Sequence, residues 1–324
     1  MKKKILIVGA GQLGSRHLQA IALLKDSCEI NVIDPSTTSL NIAKSRFEEV
    51  NGHEKHTISL YHELEELTIK TIDIVVVATN SNARSAVIKK ILKTKKVIYF
   101  ILEKVLFQTL REYDEIDVLL KKGNSTAFVN CPRRMNINYQ EIKNLLSNQE
   151  NVQMEVIGSK WNLGCNGIHF IDLFSFLTEE VNINWISNLD NEIIDSKRKG
   201  FKEFTGNLFG IGFNKNRISL TCFNKGPSNT SIRISTPEMR FVINEDISVF
   251  KESLSSLHKV EEKIINFSLQ SELTNIIAKQ LFETGSCILT PYEESKKLHK
   301  PYLETLLNHY CLVKKIKTDI CPIT

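Results

Sequence analysis

The sequence predicts an α/β chain in two domains: residues 1–127 on a parallel sheet, then an α+β domain, residues 128–324, with an open, largely antiparallel sheet. Three observations carry that expectation. Unbroken apolar runs alternate with amphipathic stretches through roughly the first third of the chain, a glycine turn closes the first of those runs, and after Asn148 short strand-like segments succeed one another across polar turns. A length of 324 residues also exceeds what one hydrophobic core usually serves.

The elements follow in order. Ile5 to Val8 reads as a buried strand, Leu13 to Leu24 as an amphipathic helix and Ile30 to Ile33 as a second strand, together a βαβ unit. Helical stretches are expected around Leu40 to Val50, Leu60 to Leu67 and Asn82 to Leu92, with strands at Asp73 to Thr79 and Val97 to Leu102. A polar helix from Gln108 to Lys122 is expected to stop at a left-handed Gly123, before a last strand at Ala127 to Asn130. In the second domain Val152 to Trp161, Phe204 to Phe213, Arg217 to Phe223, Thr230 to Ser235 and Met239 to Asn244 have strand composition. Helices at Asn166 to Leu177, Ser271 to Glu283 and Tyr292 to Tyr310 are expected to cover one face of that sheet.

Composition narrows the function classes. The 42 Lys and Arg against 37 Asp and Glu leave a charge of +5 without long single-sign blocks, so neither a nucleic-acid nor a membrane-surface partner is expected. No apolar run approaches the roughly 18 residues of a membrane span. The short apolar stretch after Lys4 runs into Gln12 and Ser15 and reads as a strand, not a leader. Seven cysteines with no C-x-x-C pair suggest reduced thiols and a cytoplasmic location. The sequons at Asn124, Asn229 and Asn266 are taken as chance. His53, Glu54, His56 and His62 lie in a polar stretch, and no metal site is expected there or elsewhere. Walker and G-x-S-x-G patterns are absent, which removes kinase and serine hydrolase chemistry.

The segment Gly9-Ala10-Gly11-Gln12-Leu13-Gly14 fits G-x-G-x-x-G, follows a strand and opens a helix, and an acid, Asp34, ends the next strand. That context is the fingerprint of a Rossmann dinucleotide site. Gly9 would permit the tight turn, Gly11 would let a pyrophosphate approach the backbone, and Gly14 would let helix and strand pack closely. The helix start offers N–H groups and partial positive charge to phosphates. Asp34 can accept from ribose hydroxyls, and Pro35-Ser36-Thr37 brings no cation for a 2′-phosphate, so NAD is favoured over NADP. Thr79 and Asn80 close a strand at the same edge and suit a nicotinamide-ribose contact.

Glu103-Lys104 follows directly on the strand Val97 to Leu102, which should set the lysine at the carboxyl edge of the sheet beside the cofactor. There an ammonium group can hydrogen-bond a reacting hydroxyl and favour its deprotonated form. His169 opens an apolar helix, with Asp172 one turn on and on the same face. An imidazole titrating near neutrality suits removal of a hydroxyl proton.

Taken together, ILIVGAGQLGSRH, VVVATNS, Glu103-Lys104, NCPRRMNINY and GIHFIDL, in that order and spacing, resemble the Gfo/Idh/MocA family of NAD(P)-dependent sugar oxidoreductases. The likeness spans nearly the whole chain. It implies a Rossmann domain, a second domain whose open sheet often mediates oligomerisation into dimers or tetramers, and Lys104 and His169 as the catalytic pair. The cofactor set it supports is Gly9, Gly11, Gln12, Leu13, Gly14, Asp34, Thr79, Asn80 and Glu103. Arg133, Arg134 and Tyr139 fall in the segment that links the family's two domains beside its active site, where guanidinium groups suit a carboxylate or phosphate. Trp161, Asn162 and Asn166 offer a ring and amides to a sugar or nucleotide-sugar substrate, and Asp172 completes the substrate set. Two departures stand out. Val105 occupies the place of the family's proline after the lysine, and Cys165 that of an aspartate four residues before the histidine; a thiol does not replace a carboxylate unless its pKa is strongly lowered. The implied activity is hydride transfer at a secondary hydroxyl, in surface-glycan precursor chemistry, with epimerisation as one outcome. A non-catalytic NAD-binding sensor of the same fold is the alternative, and Cys165 is its support.

Overall fold

A computed structural model describes residues 2–245, 248–254, 260–264 and 267–324. The sequon at Asn266 lies outside them. In chain order the elements are β1 Lys3–Val8, α1 Gln12–Ala22, β2 Cys28–Ile33, α2 Thr37–Glu48, β3 Thr57–Tyr61, β4 Thr71–Val77, α3 Ser81–Thr94, β5 Lys96–Leu102, α4 Leu110–Lys122 and β6 Thr126–Val129. They continue with α5 Ile137–Leu146, β7 Gln153–Ser159, α6 Leu163–Thr178, β8 Ile183–Leu189, β9 Ile194–Asp195, β10 Lys202–Glu203, β11 Gly206–Gly212, β12 Arg217–Phe223, β13 Asn229–Ser235 and β14 Met239–Asn244. The last are β15 Ser248–Ser253, β16 Val260–Ile264, α7 Thr274–Thr284, β17 Thr290–Pro291 and α8 Tyr292–Lys314.

Two compact units result. The first comprises residues Met1–Phe107, Arg111–Asn130 and Ser268–Glu293; the second Gln108–Leu110, Cys131–Phe267 and Glu294–Thr324. The first unit carries a sheet of order β17-β6-β5-β4-β1-β2-β3, parallel throughout except at β17. Its central strands are buried on both faces, which is why Ile5 to Val8 and Ile74 to Val77 read as unbroken apolar runs. In the second unit a sheet of order β16-β15-β14-β13-β7-β12-β11-β8 is antiparallel except where β12 runs parallel to β7. Alternate residues of β7 are buried, so one face of this sheet packs inward and the other is exposed.

The structure corrects the sequence reading in four places. The start of the helix expected over Leu60 to Leu67 instead belongs to an edge strand, Thr57–Tyr61, because Ile58 and Leu60 pair with Ile30 and Val32; within that stretch only a short turn at Leu64–Glu66 is helical. The left-handed residue after α4 is Asn124, with φ 49°, not Gly123. Ser271 to Glu283 does not cover the second sheet: α7 packs on α1 within the first unit, whose outline therefore differs from a single cut at 127/128. Finally β8, β15 and β16, with the small hairpin β9–β10, were not expected. Ile186, Phe250 and Ile264 face outward there, which blurs the apolar alternation.

Candidate functional site

The nucleotide edge is built by the sheet ladder running one step past each strand end. Gly9 N–H donates to Ile33 O at 2.8 Å, Ala78 N–H to Val8 O at 2.8 Å, Glu103 N–H to Val77 O at 3.1 Å and Asn130 N–H to Leu102 O at 2.8 Å. These bonds bring Gly9, Thr79, Glu103 and Asn130 to one edge of the first unit. Gly9 has φ 93°, open to glycine at little cost. A Cβ at Gly14 would lie 1.7 Å from Gly9 O, so only glycine lets α1 pack this closely. Gly11, the residue before α1, has open space where a Cβ would be, and Gln12 and Leu13 form the first turn beyond it.

Asp34 stands beside that turn. Its Oδ2 accepts from Ala10 N–H at 2.7 Å and its Oδ1 from Ser36 N–H at 2.8 Å, which fixes the carboxylate and leaves each oxygen a further lone pair. A cleft of about 550 Å³ runs from Gly9, Gly11 and Asp34 past Thr79 and Asn80 to an apolar wall of Leu64, Val87 and Ile91, with His62 and Lys90 at its rim. The wall residues were not foreseen, since His62 and Leu64 fall in the stretch Leu60 to Leu67 where the sequence predicts a helix. Three observations fit NAD here: the open cradle at Gly11, the fixed acceptor Asp34, and the buried hydroxyl of Thr79, which has no hydrogen-bond partner among the described residues.

Glu103 and Lys104 lie at this edge, the former buried and the latter half-buried. Burial opposes ionisation of Glu103, yet the hydrogen bond and charge of His17, the Asn130 amide and the Arg84 charge hold its carboxyl below the usual range. His17 Nε2 donates to Glu103 Oε1 at 2.8 Å, and its Nδ1 lies 2.7 Å from Thr274 Oγ1. Asn130 Nδ2 donates to the same Glu103 oxygen at 2.5 Å and to Gln270 Oε1 at 2.9 Å. The Lys104–Val105 peptide is cis. Arg84, on α3, donates to the carbonyls of Thr79, Val105 and Leu106, the last at 2.9 Å. Sequence reasoning missed His17, Arg84 and Asn130. A histidine one turn after Gly14, on the apolar side of α1, was the one available signal.

In the second unit α6 carries Cys165, Asn166 and His169 along one half-buried side. Asn162 precedes the helix in a left-handed conformation, and Asn166 Nδ2 donates to Trp161 O at 2.8 Å. Trp161 is packed inside: its Nε1 donates to Thr221 O at 2.8 Å, and its ring meets Phe170 edge-on at 5.4 Å. The two arginines are matched internally. Arg133 donates to both oxygens of Glu245, at 2.7 and 2.6 Å, lies over the Phe170 ring, and shares Glu245 with the Tyr139 hydroxyl at 2.8 Å. Burial and the nearby Glu245 raise the Tyr139 phenol well above its ordinary value. Arg134 donates to both carboxylate oxygens of buried Asp172, each at 3.0 Å, and to Glu294 at 3.3 Å. Glu245 was not foreseen as a partner, because nothing in the sequence ties it to Arg133 across more than a hundred positions.

Among the described residues no group of three or more His, Cys, Asp or Glu side chains is placed to hold a metal, and no helix is long and apolar enough to cross a membrane. His53 and His56 instead bond backbone: His53 Nδ1 meets Val50 O at 2.9 Å, and His56 Nε2 meets Ala22 O at 3.2 Å.

The glycine turn, the acid after β2 and the cleft between them define a Rossmann-type nucleotide-binding unit. Residues 3–131 match the model of an oxidoreductase family with an NAD-binding Rossmann fold, Gfo/Idh/MocA. No protein of curated function matches the sequence. Solved structures share the fold over nearly the whole length. An oxidoreductase from Agrobacterium radiobacter in complex with NAD+, L-tartaric acid and magnesium has a TM-score of 0.72 at 13% identity, covering 94% of this chain and 95% of that one. UDP-N-acetylglucosamine 3-dehydrogenase from Acidithiobacillus ferrooxidans has 0.71 at 11% identity, covering 94% and 96%. A super-repressor mutant of Gal80p from Saccharomyces cerevisiae has 0.73 at 14%, covering 96% of each chain.

Proposed function

We propose that the protein is a cytoplasmic oxidoreductase that moves hydride between NAD and a secondary hydroxyl of a sugar or nucleotide-activated sugar. The observation that carries this reading is a lysine fixed at the carboxyl edge of the same sheet that offers the Gly9–Gly14 turn and Asp34. NAD, when bound, supplies the hydride acceptor. Gly11, Gln12 and Leu13 present α1's first N–H groups to the pyrophosphate, Asp34 accepts from the adenosine ribose, and Thr79 with Asn80 meets the second ribose. Lys104 stabilises the alkoxide form of the reacting hydroxyl, and His169 takes its proton. Asn162 and Asn166 meet the sugar hydroxyls. Arg133, Arg134 and Asp172 contribute as internal ion pairs: Arg133–Glu245 ties the segment before α5 to the end of β14, and Arg134–Asp172 ties it to α6.

The test is a fluorescence titration with NADH and with NADPH, followed by a turnover screen over UDP-N-acetylglucosamine and free polyols. NADH is expected to saturate at far lower concentration than NADPH. Lys104→Ala should abolish turnover and keep NADH affinity, and full activity in that variant would end the assignment. Turnover of free neutral polyols alone would remove the nucleotide-sugar part and with it surface-glycan precursor synthesis.

Cys165 on the His169 side of α6 supports a second reading, an NAD-binding regulator without turnover, in line with the fold shared with Gal80p. NADH left unchanged across the whole screen would favour it. The exposed face of the eight-stranded sheet carries Ile157, Ile186, Ile211, Val242 and Phe250, which supports a homo-oligomer, dimer or tetramer, joined by that face. Size-exclusion mass of Ile157→Asp against the parent chain tests it.

A further inference from the structure

We propose that Arg84 is a positioning residue for Lys104, acting through the backbone on either side of it; the inference rests on the assignment of Lys104 above. Arg84 is 2% exposed and sits on the buried side of α3. Burying a guanidinium is costly unless its donors are matched, and here they reach three main-chain carbonyls. Two of these belong to Val105 and Leu106, the residues that follow Lys104; the third belongs to Thr79, at the end of β4. One side chain thus ties the strand end that meets the cofactor to the segment that carries the lysine. Before Lys104, Glu103 is tied by His17 on α1 and by Asn130 at the end of β6. Lys104 is therefore a half-buried residue between two anchored neighbours.

The residue type matters. A guanidinium presents five donors in a rigid fork and can bridge two loops, whereas a lysine ammonium is a compact charge with no fixed fork. Arg84→Lys keeps the charge and loses the bridge. A reacting group displaced by about 1 Å can lose about a hundredfold in rate, so the lysine's chemistry depends on this bridge even though Arg84 touches no reactant.

The test compares the full chain with Arg84→Lys in two measurements, after thermal melting and NADH titration have shown the variant folded and cofactor-competent. First, acetylation of Lys104 by acetic anhydride is followed by mass spectrometry with NADH present, using exposed Lys25 of the same sample as reference. Loss of the bridge should raise the Lys104 rate by about threefold or more relative to Lys25. Second, turnover of UDP-N-acetylglucosamine should show kcat lower by about a hundredfold with KM little changed. If Arg84→Lys does not fold, Arg84→Gln, which retains two donors, is measured in the same way. A folded variant whose Lys104 is acetylated at the parental rate overturns the inference whatever its kcat. Undiminished turnover in Lys104→Ala overturns instead the assignment on which the inference rests.

Discussion

Asp34→Asn isolates the cofactor reading. In the parent chain the carboxylate is fixed by two backbone donors, Ala10 N–H at 2.7 Å and Ser36 N–H at 2.8 Å, and its remaining lone pairs face the cleft. Hydrogen bonds to a charged group contribute about 1.5–3 kcal/mol each. An amide keeps one acceptor oxygen, and its NH2 then meets one of the two backbone donors, so about one such bond to the ribose is lost. NADH affinity should fall about ten- to a hundredfold. The opposite sign is expected for NADPH. A carboxylate about 4 Å from a phosphate charge is opposed by about 4 kcal/mol at an effective dielectric near 20, and the neutral amide removes that opposition. Two fluorescence titrations per protein read both effects, and the NADH to NADPH preference should collapse. An Asp34→Asn protein that binds NADH as tightly as its parent and still rejects NADPH would refute the placement of the ribose at Asp34.

Gly14→Ala places a Cβ 1.7 Å from Gly9 O, so α1 must move by more than an ångström; a loss of about 1–3 kcal/mol in urea unfolding and weaker NADH binding are expected, and parental values in both would contradict the packing. Arg134→Met leaves Asp172, 1% exposed, without its bidentate partner and should cost about 3–5 kcal/mol. Most of that should return in Arg134→Met/Asp172→Leu, and a double variant no better than the single one would argue against a paired charge. His56 is neutral in the fold: burial lowers its pKa from 6.5, while Cys28 N–H donates to its Nδ1 at 3.1 Å. The unfolded chain binds the proton more readily, so this contribution is present above pH 6.5 and is lost as pH falls through the folded value. The urea midpoint should decline less between pH 7.5 and 5 in His56→Gln than in the parent, and equal declines would remove His56 from the account.

The parallel half of the fold was legible because its strands are covered on both faces, so that Ile5 to Val8 and Ile74 to Val77 needed no partner to be recognised. The glycine turn was legible for a related reason: each glycine answers a local geometric demand, and the 1.7 Å approach at Gly14 is set by a backbone only five residues away. Edge strands were not. Thr57–Tyr61 earns its conformation from β2, and in the outer strands β15 and β16 Phe250, Val260 and Ile264 face solvent while Val249 faces the core. The placement of α7 was hidden as well, since it is decided by contacts with α1, about 260 residues earlier in the chain.

Arginine shows where residue type stops carrying information. Arg84, Arg133 and Arg134 look alike in the sequence, and all three have donors matched inside the protein. Arg133 and Arg134 end on carboxylates and Arg84 on main-chain carbonyls. The distinction is one of burial and acceptor type. An arginine facing an anion from solvent needs an unmatched fork, whereas a buried one is stable only when its donors find acceptors in the fold. The acceptors it finds then decide its role: carboxylates cancel its charge and fix two elements, while carbonyls leave the charge in place beside Glu103 and fix the two chain segments that flank the cofactor edge. The same residue type thus serves scaffold in the second unit and site geometry in the first, and the first of these differences that an experiment can read is the behaviour of Lys104 when Arg84 loses its fork.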